Sequence, residues 1–103
     1  MASKARVTTV PMALVRDAYA RLSGGGHWFD RSTMRFFRSM LSRSAYVGPG
    51  GVYFVSSEQF DDGARRAYTV RAWRGSDVAT VGDFNVASRE TALARAKAAA
   101  AGA

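Results

Sequence analysis

The stretch GVYFVSSEQFDDGARRAYTVRAWR, residues 51–74, decides the fold class. It contains two runs rich in Val, Tyr, Phe and Trp, at 51–57 and 66–74, and residues of these types favour strands. The segment EQFDDGA at 58–64 has the composition of a loop. The stretch therefore predicts two antiparallel strands that are neighbours in a sheet.

Two further runs extend this pair into a larger sheet. SAYV at 44–47 and VATVGDFNV at 78–86 are set off by the turn compositions GPG and GSD. Together the four runs predict an antiparallel meander of three or four strands. Because residues alternate between the two sides of a strand, one face of this sheet is expected to pack on helices and the other to meet solvent.

Three helices are predicted around the strands. The first covers about 11–22, where Pro11 suits a first helical turn and apolar residues recur at helical spacing. The second lies within 30–43. The third covers about 89–101, where Ser88 offers a cap and a run of alanines follows.

One domain is the expected organisation of the chain. A length of 103 residues is too short for two independent cores, and a composition that is 48% hydrophobic is that of a globular protein. The predicted architecture is an α+β fold at 11–103, with the meander packed against helices in the order α-α-β-β-β-β-α. Residues 1–10, which include Lys4 and Arg6, are expected to form a flexible basic arm.

The second helix is predicted to be both basic and amphipathic. In DRSTMRFFRSMLSR, residues 30–43, Arg31, Arg35 and Arg38 fall on one side at about 100° per residue. No acid lies three or four residues away on the same face, so their charge is expected to be available to a partner. The alternative is a basic face that is only solvated. The opposite arc is expected to be buried and comprises Met34, Phe36, Phe37, Met40 and Leu41.

Positive charge is concentrated in the front half of the chain. The formal net charge is +7, and residues 1–45 contain eight Lys or Arg against two Asp, whereas 46–103 contain seven against six. Thirteen of the fifteen basic residues are Arg, whose planar guanidinium suits phosphate and carboxylate groups. This asymmetry indicates nucleic acid, an acidic protein or an anionic membrane as the partner, with a surface that serves only solubility as the alternative.

A second basic and aromatic cluster is predicted on the strand at 66–74. Three of its arginines occur with Trp73, which could stack on an exposed base. The alternative places Trp73 in the core of the sheet. The predicted nucleic-acid-binding residues are therefore Arg31, Arg35, Arg38, Arg66, Arg71, Trp73 and Arg74.

The segment GGGHWF at 24–29 holds a candidate protein-interaction surface, formed by His27, Trp28 and Phe29. A lone histidine beside aromatic residues is more often packed than a metal ligand, because metal sites need several donors. The chain has no cysteine, and its eight carboxylates are scattered without a third catalytic group. We therefore expect no metal, no cofactor and no enzymatic activity.

A cytoplasmic protein without a membrane partner is expected. The sequence has no apolar run long enough to span a bilayer. In the amino-terminal segment, Arg16 and Asp17 interrupt the apolar residues that a signal peptide would need.

The assembled sequence resembles a family of small uncharacterised proteins encoded by bacteriophages and mobile elements of actinobacteria and related hosts. The motifs that carry the resemblance are MRFF at 34–37, YFVSSE at 53–58 and RRAYTVR at 65–71. It covers roughly residues 27–97 and leaves out the first helix. The resemblance implies an accessory protein that works in the cytoplasm of an infected host cell, and it brings no established activity or functional residues.

Two functions are expected from these observations. The first is a non-enzymatic basic module that contacts nucleic acid or a nucleic-acid-handling host complex through its arginines. The second is an inhibitor or adaptor that binds a host protein or defence system through the aromatic surface around residues 27–29 or through Trp73. A homodimer is a third alternative, since small domains often complete their cores by self-association.

Overall fold

The computed structural model describes residues 7–23, 29–36, 38–59, 65–75, 77–82 and 86–102. Within these ranges the chain forms six strands and three helices. In chain order they are β1 (Thr8–Pro11), α1 (Met12–Ser23), α2 (Arg31–Phe36), β2 (Met40–Leu41), β3 (Ser44–Gly48), β4 (Gly51–Glu58), β5 (Ala67–Arg74), β6 (Asp77–Thr80) and α3 (Arg89–Ala100). The predicted α+β class is confirmed, and the sheet has two more strands than the largest number predicted.

The strands form one antiparallel sheet. Its order is β1-β3-β4-β5-β6, and β2 pairs with the last part of β4. β4 and β5 share the longest register, which runs from the pair Val52 and Trp73 to the pair Glu58 and Ala67. Both strands are rich in β-branched and aromatic residues, which pack well on a pleated surface. The pair predicted from residues 51–74 is therefore the centre of the sheet.

A bulge separates β2 from β3 along the same side of β4. Ser42 N donates to Val55 O at 2.8 Å, and Ser42 Oγ accepts from Val55 N at 3.2 Å. The same hydroxyl donates to Ser44 O at 3.0 Å. The serine side chain thus gives the Val55 amide an acceptor where the strand backbone is irregular. Arg43 lies at this bulge and is exposed.

The first core lies on the sheet face that carries Phe54. This side chain is fully buried, and its ring centroid lies 5.7 Å from that of Phe29. Phe29 in turn makes an edge contact with Tyr19 of α1 at 5.1 Å between centroids. Met12 and Val15 of α1 are buried in the same cluster. α1 therefore covers this face, and each large side chain buried there contributes about 1.5–3 kcal/mol.

The second core lies on the opposite face, under α3. The helix residues Ala92, Ala96 and Ala100 recur every four positions and are fully buried. Val55 and Val70 of the two central strands are buried in the same core. Residues four apart lie on one side of a helix, so α3 meets the sheet through methyl groups alone at these positions.

Backbone hydrogen bonds fasten α3 to the sheet at both ends. Before the helix, Tyr68 N donates to Val86 O at 2.8 Å, and Val86 N donates to Tyr68 O at 2.7 Å. At its last residue, Ala100 O accepts from Gly50 N in the turn between β3 and β4, at 2.9 Å. Glycine is required at position 50, because a Cβ there would overlap the carbonyl oxygen of Ala99.

The first and third helices are confirmed. α1 and α3 begin and end within one residue of the predicted ranges. Ser88 caps α3 as expected, with its Oγ accepting from Thr91 N at 3.3 Å. Each of these helices has 12 residues, and no helix in the described part of the chain could cross a bilayer.

The expectation that one sheet face meets solvent is wrong. β5 has buried residues on both of its sides: Val70 and Ala72 on the side of α3, and Thr69 on the side of α1. The reason is that helices from both ends of the chain carry apolar residues. Each helix needs one side of the sheet to bury them.

The second helix is shorter than predicted. α2 ends at Phe36, and the chain pairs with β4 as a strand from Met40 onward. Between them, Arg38 has a left-handed φ of 49°, which no helix can continue. The fourteen-residue segment at 30–43 is therefore a short helix, a turn and a strand.

The predicted apolar arc is only partly buried as a result. Met34 and Leu41 pack against the first core. Phe36 is 78% exposed and Met40 is 60% exposed, so their predicted burial is wrong. Phe37 lies outside the described residues. The helical spacing does not extend to the end of the arc, because Met40 and Leu41 belong to the strand β2.

β1 includes residues that were expected in the flexible arm. Thr8 to Pro11 pair with β3, from the pair Thr8 and Val47 to the pair Pro11 and Ser44. Residues 8–10 are therefore part of the sheet. Lys4 and Arg6 lie outside the described residues.

Candidate nucleic-acid interface

α2 presents two exposed arginines one turn apart. Arg31 and Arg35 line a shallow recess of about 320 Å³ together with Ser32 and Phe36. Within the described ranges, neither guanidinium forms an ion pair with a carboxylate. The neighbouring acid, Asp30, accepts instead from the Ser32 amide at 3.1 Å. Both side chains are exposed, and no carboxylate of the described residues neutralises them.

Arg38 does not share the helix face with these two residues. The prediction of three arginines on one helical face is wrong, because α2 ends before Arg38. The Arg38 amide donates to Arg35 O at 3.1 Å, and its positive φ turns the chain toward β2. Arg38 is exposed as a residue of this turn.

The four residues predicted as a second cluster do not lie on one surface. Arg71 and Trp73 lie on the α1 side of β5, where Trp73 packs against the first core. Arg74 lies on the other side at the exposed end of the strand. Arg66 also reaches the α3 side, where its Nη1 donates to Ser57 Oγ at 3.0 Å. The predicted single cluster is therefore wrong, because alternation along the strand separates its members.

Arg71 is committed to contacts within the sheet. Its Nε donates to Ser56 Oγ at 3.0 Å, and its Nη1 donates to Thr80 Oγ1 at 2.6 Å. Its Nη2 lies 3.7 Å from Glu58 Oε1, and the side chain is only 17% exposed. Burial lowers the pKa of Arg71 from its usual value, and attraction to the Glu58 carboxylate partly offsets that effect. Arg71 thus stabilises the sheet rather than presenting its charge to a partner.

Trp73 is also engaged inside the protein. It packs against the first core, and its indole Nε1 donates to Gly75 O at 2.7 Å. A stacking platform needs an exposed ring face. The structure therefore matches the alternative in which Trp73 belongs to the core of the sheet.

Phe29 cannot serve as the predicted interaction residue. It is 3% exposed, with Phe54 on one side and the Arg16 guanidinium 5.8 Å from its ring centre. The prediction is wrong because the first core encloses this ring. His27 and Trp28, the other two members of the predicted surface, lie outside the described residues.

A groove on the α3 side of the sheet gathers three arginines. It has a volume of about 340 Å³ and lies between β2, the paired ends of β4 and β5, and the start of α3. Arg43, Arg66 and Arg89 line it, and no acidic residue in the described part of the chain does so. We call it the arginine groove. Among its other lining residues are Met40, Tyr68 and Leu93.

Sequence reasoning selected only one of these three arginines, Arg66. The three are far apart in the chain and meet because the bulge, β5 and α3 converge at one end of the sheet. A usable signal existed for Arg89, since it follows the Ser88 cap and is therefore fixed at the start of α3. Nothing in the local sequence marks Arg43, whose position depends on the bulge.

A comparison with known protein families assigns the chain to one of them. A family model described as a family of unknown function, DUF7447, matches residues 12–101. The chain belongs to this family. The DUF7447 match begins with α1 and ends just after α3, so it includes the first helix, which the resemblance given above left out. Membership of a family of unknown function is thus confirmed, whereas origin in a phage or mobile element stays a prediction. No curated protein and no solved structure matches this chain.

Proposed function

We propose that this DUF7447 protein is a non-enzymatic basic module that contacts nucleic acid through exposed arginines. The proposal is carried by Arg31 and Arg35, which are exposed and have no carboxylate partner within the described ranges. Phosphate is a suitable counterpart, because guanidinium groups bind it through charge-assisted, often bidentate hydrogen bonds. Following the resemblance given above, the proposed setting is the cytoplasm of a host cell that carries a phage or mobile element.

The charge of the whole chain supports the same partner. A formal net charge of +7 attracts polyanions over a longer range than any single contact. Contacts to phosphate position a protein on nucleic acid without reading its sequence. We therefore propose that binding through α2 depends on charge and tolerates different sequences.

Binding of a labelled random-sequence DNA duplex across a salt series tests the proposal. The variant R31Q/R35Q should bind more weakly than the parent. Its slope of log affinity against log salt should fall by about 1.8, since each neutralised phosphate contributes about 0.9 on B-DNA. An unchanged affinity and slope would reject the proposal.

A matched variant separates a local contact from a general loss of charge. R21Q/R95Q also removes two positive charges, from exposed positions on α1 and α3. It should retain most of the parent's affinity and its salt slope. If it weakens binding as much as R31Q/R35Q does, the α2 arginines are not a specific contact surface and the assignment fails.

A protein-binding adaptor is the second candidate. It is favoured by Phe36 and Met40, large apolar side chains that are 78% and 60% exposed. Such side chains in water often mark a surface that a partner covers. A pull-down from nuclease-treated host lysate should compare the parent with F36S/M40S. A host protein held by the parent and lost by the variant supports the adaptor, and loss of all bound material on nuclease treatment supports nucleic acid.

A further inference from the structure

The arginine groove collects positive charge from three separate parts of the chain. Arg43 comes from the bulge between β2 and β3, Arg66 from just before β5, and Arg89 from the start of α3. Glu90 follows Arg89 in sequence but does not line the groove. Several guanidinium groups around one recess are suited to a phosphate, which accepts more than one charge-assisted hydrogen bond.

Arg66 is already held in place on the wall of the groove. Its Nη1 donates to the carbonyl oxygen of Ser57 at 3.1 Å and to the hydroxyl oxygen at 3.0 Å. The remaining donors, on Nε and Nη2, have no acceptor among the residues that the structure describes. Because Ser57 already fixes the guanidinium, little side-chain freedom remains to be lost when an anion binds.

Apolar and aromatic side chains form much of the remaining lining. Tyr68 and Leu93 are half-buried, and Met40 is 60% exposed at the edge. The volume of about 340 Å³ lies within the range of small-ligand sites, roughly 300–1,000 Å³. Tyr68 and Leu93 also pack against the second core, so only the parts of these side chains that line the groove are open to a ligand. Stacking of a flat ring on an aromatic side chain accepts any base.

We propose that the arginine groove binds one nucleotide unit of single-stranded nucleic acid. The phosphate contacts Arg43, Arg66 and Arg89, and the base lies against Tyr68 and Leu93. A duplex cannot make this contact, because its bases are stacked inside the helix. An acidic peptide would satisfy the arginines but leave the aromatic lining uncovered, whereas a nucleotide matches both. This inference rests on the proposed function and names the form of nucleic acid that the groove selects.

An NMR titration of the full chain with a short oligothymidylate tests the groove. Amide signals of Ser57, Tyr68, Arg89 and Leu93 should shift together and report one affinity. R43Q/R89Q should weaken that affinity about tenfold or more, since two charge-assisted contacts are lost. Y68L should weaken it about fivefold or more, because the stacking surface is lost. Parent-like affinity in R43Q/R89Q overturns the proposal.

The variant R21Q/R95Q is the matched control, because it removes two exposed arginines that do not line the groove. It should bind the short oligothymidylate close to the parent's affinity. If R31Q/R35Q loses duplex binding while R43Q/R89Q keeps oligothymidylate binding, the α2 contact stands and the groove fails. If R43Q/R89Q loses oligothymidylate while R31Q/R35Q binds duplex like the parent, the groove stands and the α2 contact fails.

Two further probes decide the chemistry of the occupant. Inorganic phosphate should shift the same signals only at much higher concentration than oligothymidylate does. Equal affinity for both would overturn the assignment of a base to the aromatic lining. An oligoglutamate peptide should compete weakly, and competition as strong as that of oligothymidylate would overturn the nucleotide in favour of an acidic peptide.

Discussion

Glu58 and Arg71 form an ion pair between the two central strands, with Arg71 Nη2 at 3.7 Å from Glu58 Oε1. The Glu58 side chain is 4% exposed, and its Oε1 also accepts from Thr69 Oγ1 at 3.4 Å. Its Oε2 is buried without a hydrogen-bond partner in the described part of the chain. These distances are long, so the carboxylate recovers only part of the free energy lost when it leaves water. Burial of the Glu58 carboxylate therefore depends strongly on the nearby positive charge of Arg71.

Removal of Arg71 should therefore destabilise the protein strongly. We expect R71M to lower the free energy of unfolding by about 3–5 kcal/mol, because it leaves a buried carboxylate without a cation. The double variant E58Q/R71M should recover a large part of this loss, since the amide that replaces the carboxylate carries no charge. Urea unfolding of both variants measures the difference. Equal losses in the single and double variants would contradict the role given to Glu58.

Phe54 and Phe36 should respond very differently to truncation. Phe54 is fully buried in the first core, whereas Phe36 is 78% exposed on α2. F54A should cost about 3–5 kcal/mol by leaving a cavity. F36A should change the stability by about 0.5 kcal/mol or less, as exposed positions usually do. Thermal unfolding of the two variants provides the test. A large loss of stability in F36A would favour the long helix with a buried Phe36 that the sequence predicted.

The alanines of α3 allow a matched comparison within one helix. Ala96 is fully buried against the sheet, and Ala98 is exposed two positions later. A96L should cost about 1–3 kcal/mol, because a well-packed core has no room for the added carbons. A98L should stay within about 0.5 kcal/mol of the parent. Chemical denaturation of both proteins measures this, and equal stabilities would show that α3 does not pack closely.

Gly50 should not tolerate even one added methyl group. The Cβ of G50A would overlap Ala99 O, so the β3–β4 turn and the end of α3 must move apart. We expect a loss of about 1–3 kcal/mol and faster hydrogen exchange at the amide of residue 50, which donates to Ala100 O.

Gly75 supplies the control for this substitution. Its φ is +67°, and among the described residues other than its chain neighbours no atom lies within 4 Å of a Cβ placed there. G75A should therefore cost about 1–2 kcal/mol from left-handed strain alone. It should leave the α3 amide signals unchanged, and α3 signals that move in G75A as much as in G50A would refute the contact assigned to Gly50.

The central strands and two of the helices were predictable because their signals are local. β4 and β5 are long, and their β-branched and aromatic residues favour a strand over a helix within each segment alone. α3 is marked by a cap and a run of alanines. β1 was not predictable, because a short segment such as Thr8–Pro11 becomes a strand only through pairing with distant β3.

The end of α2 could not be read from the sequence either. The left-handed residue that ends a helix is usually glycine, which can be recognised in a sequence. Here Arg38 takes that conformation. The apolar spacing of 30–43 fits a long helix, and pairing of β2 with β4 overrides it. The arginine groove requires the bulge that follows β2. Because that bulge could not be predicted, Arg66 was the only arginine of the groove identified from the sequence.

The backbone hydrogen bonds at the two ends of α3 limit changes in its length as well as in its composition. Its start is tied through Val86 to Tyr68, and its last residue is tied to Gly50. Each helical residue advances the axis by about 1.5 Å and rotates it by about 100°. One inserted residue between Ala92 and Ala96 would therefore turn Arg95 toward the sheet and carry the helix end past its anchor. Homologous chains should vary in the loops around α3 and keep the number of residues within it constant.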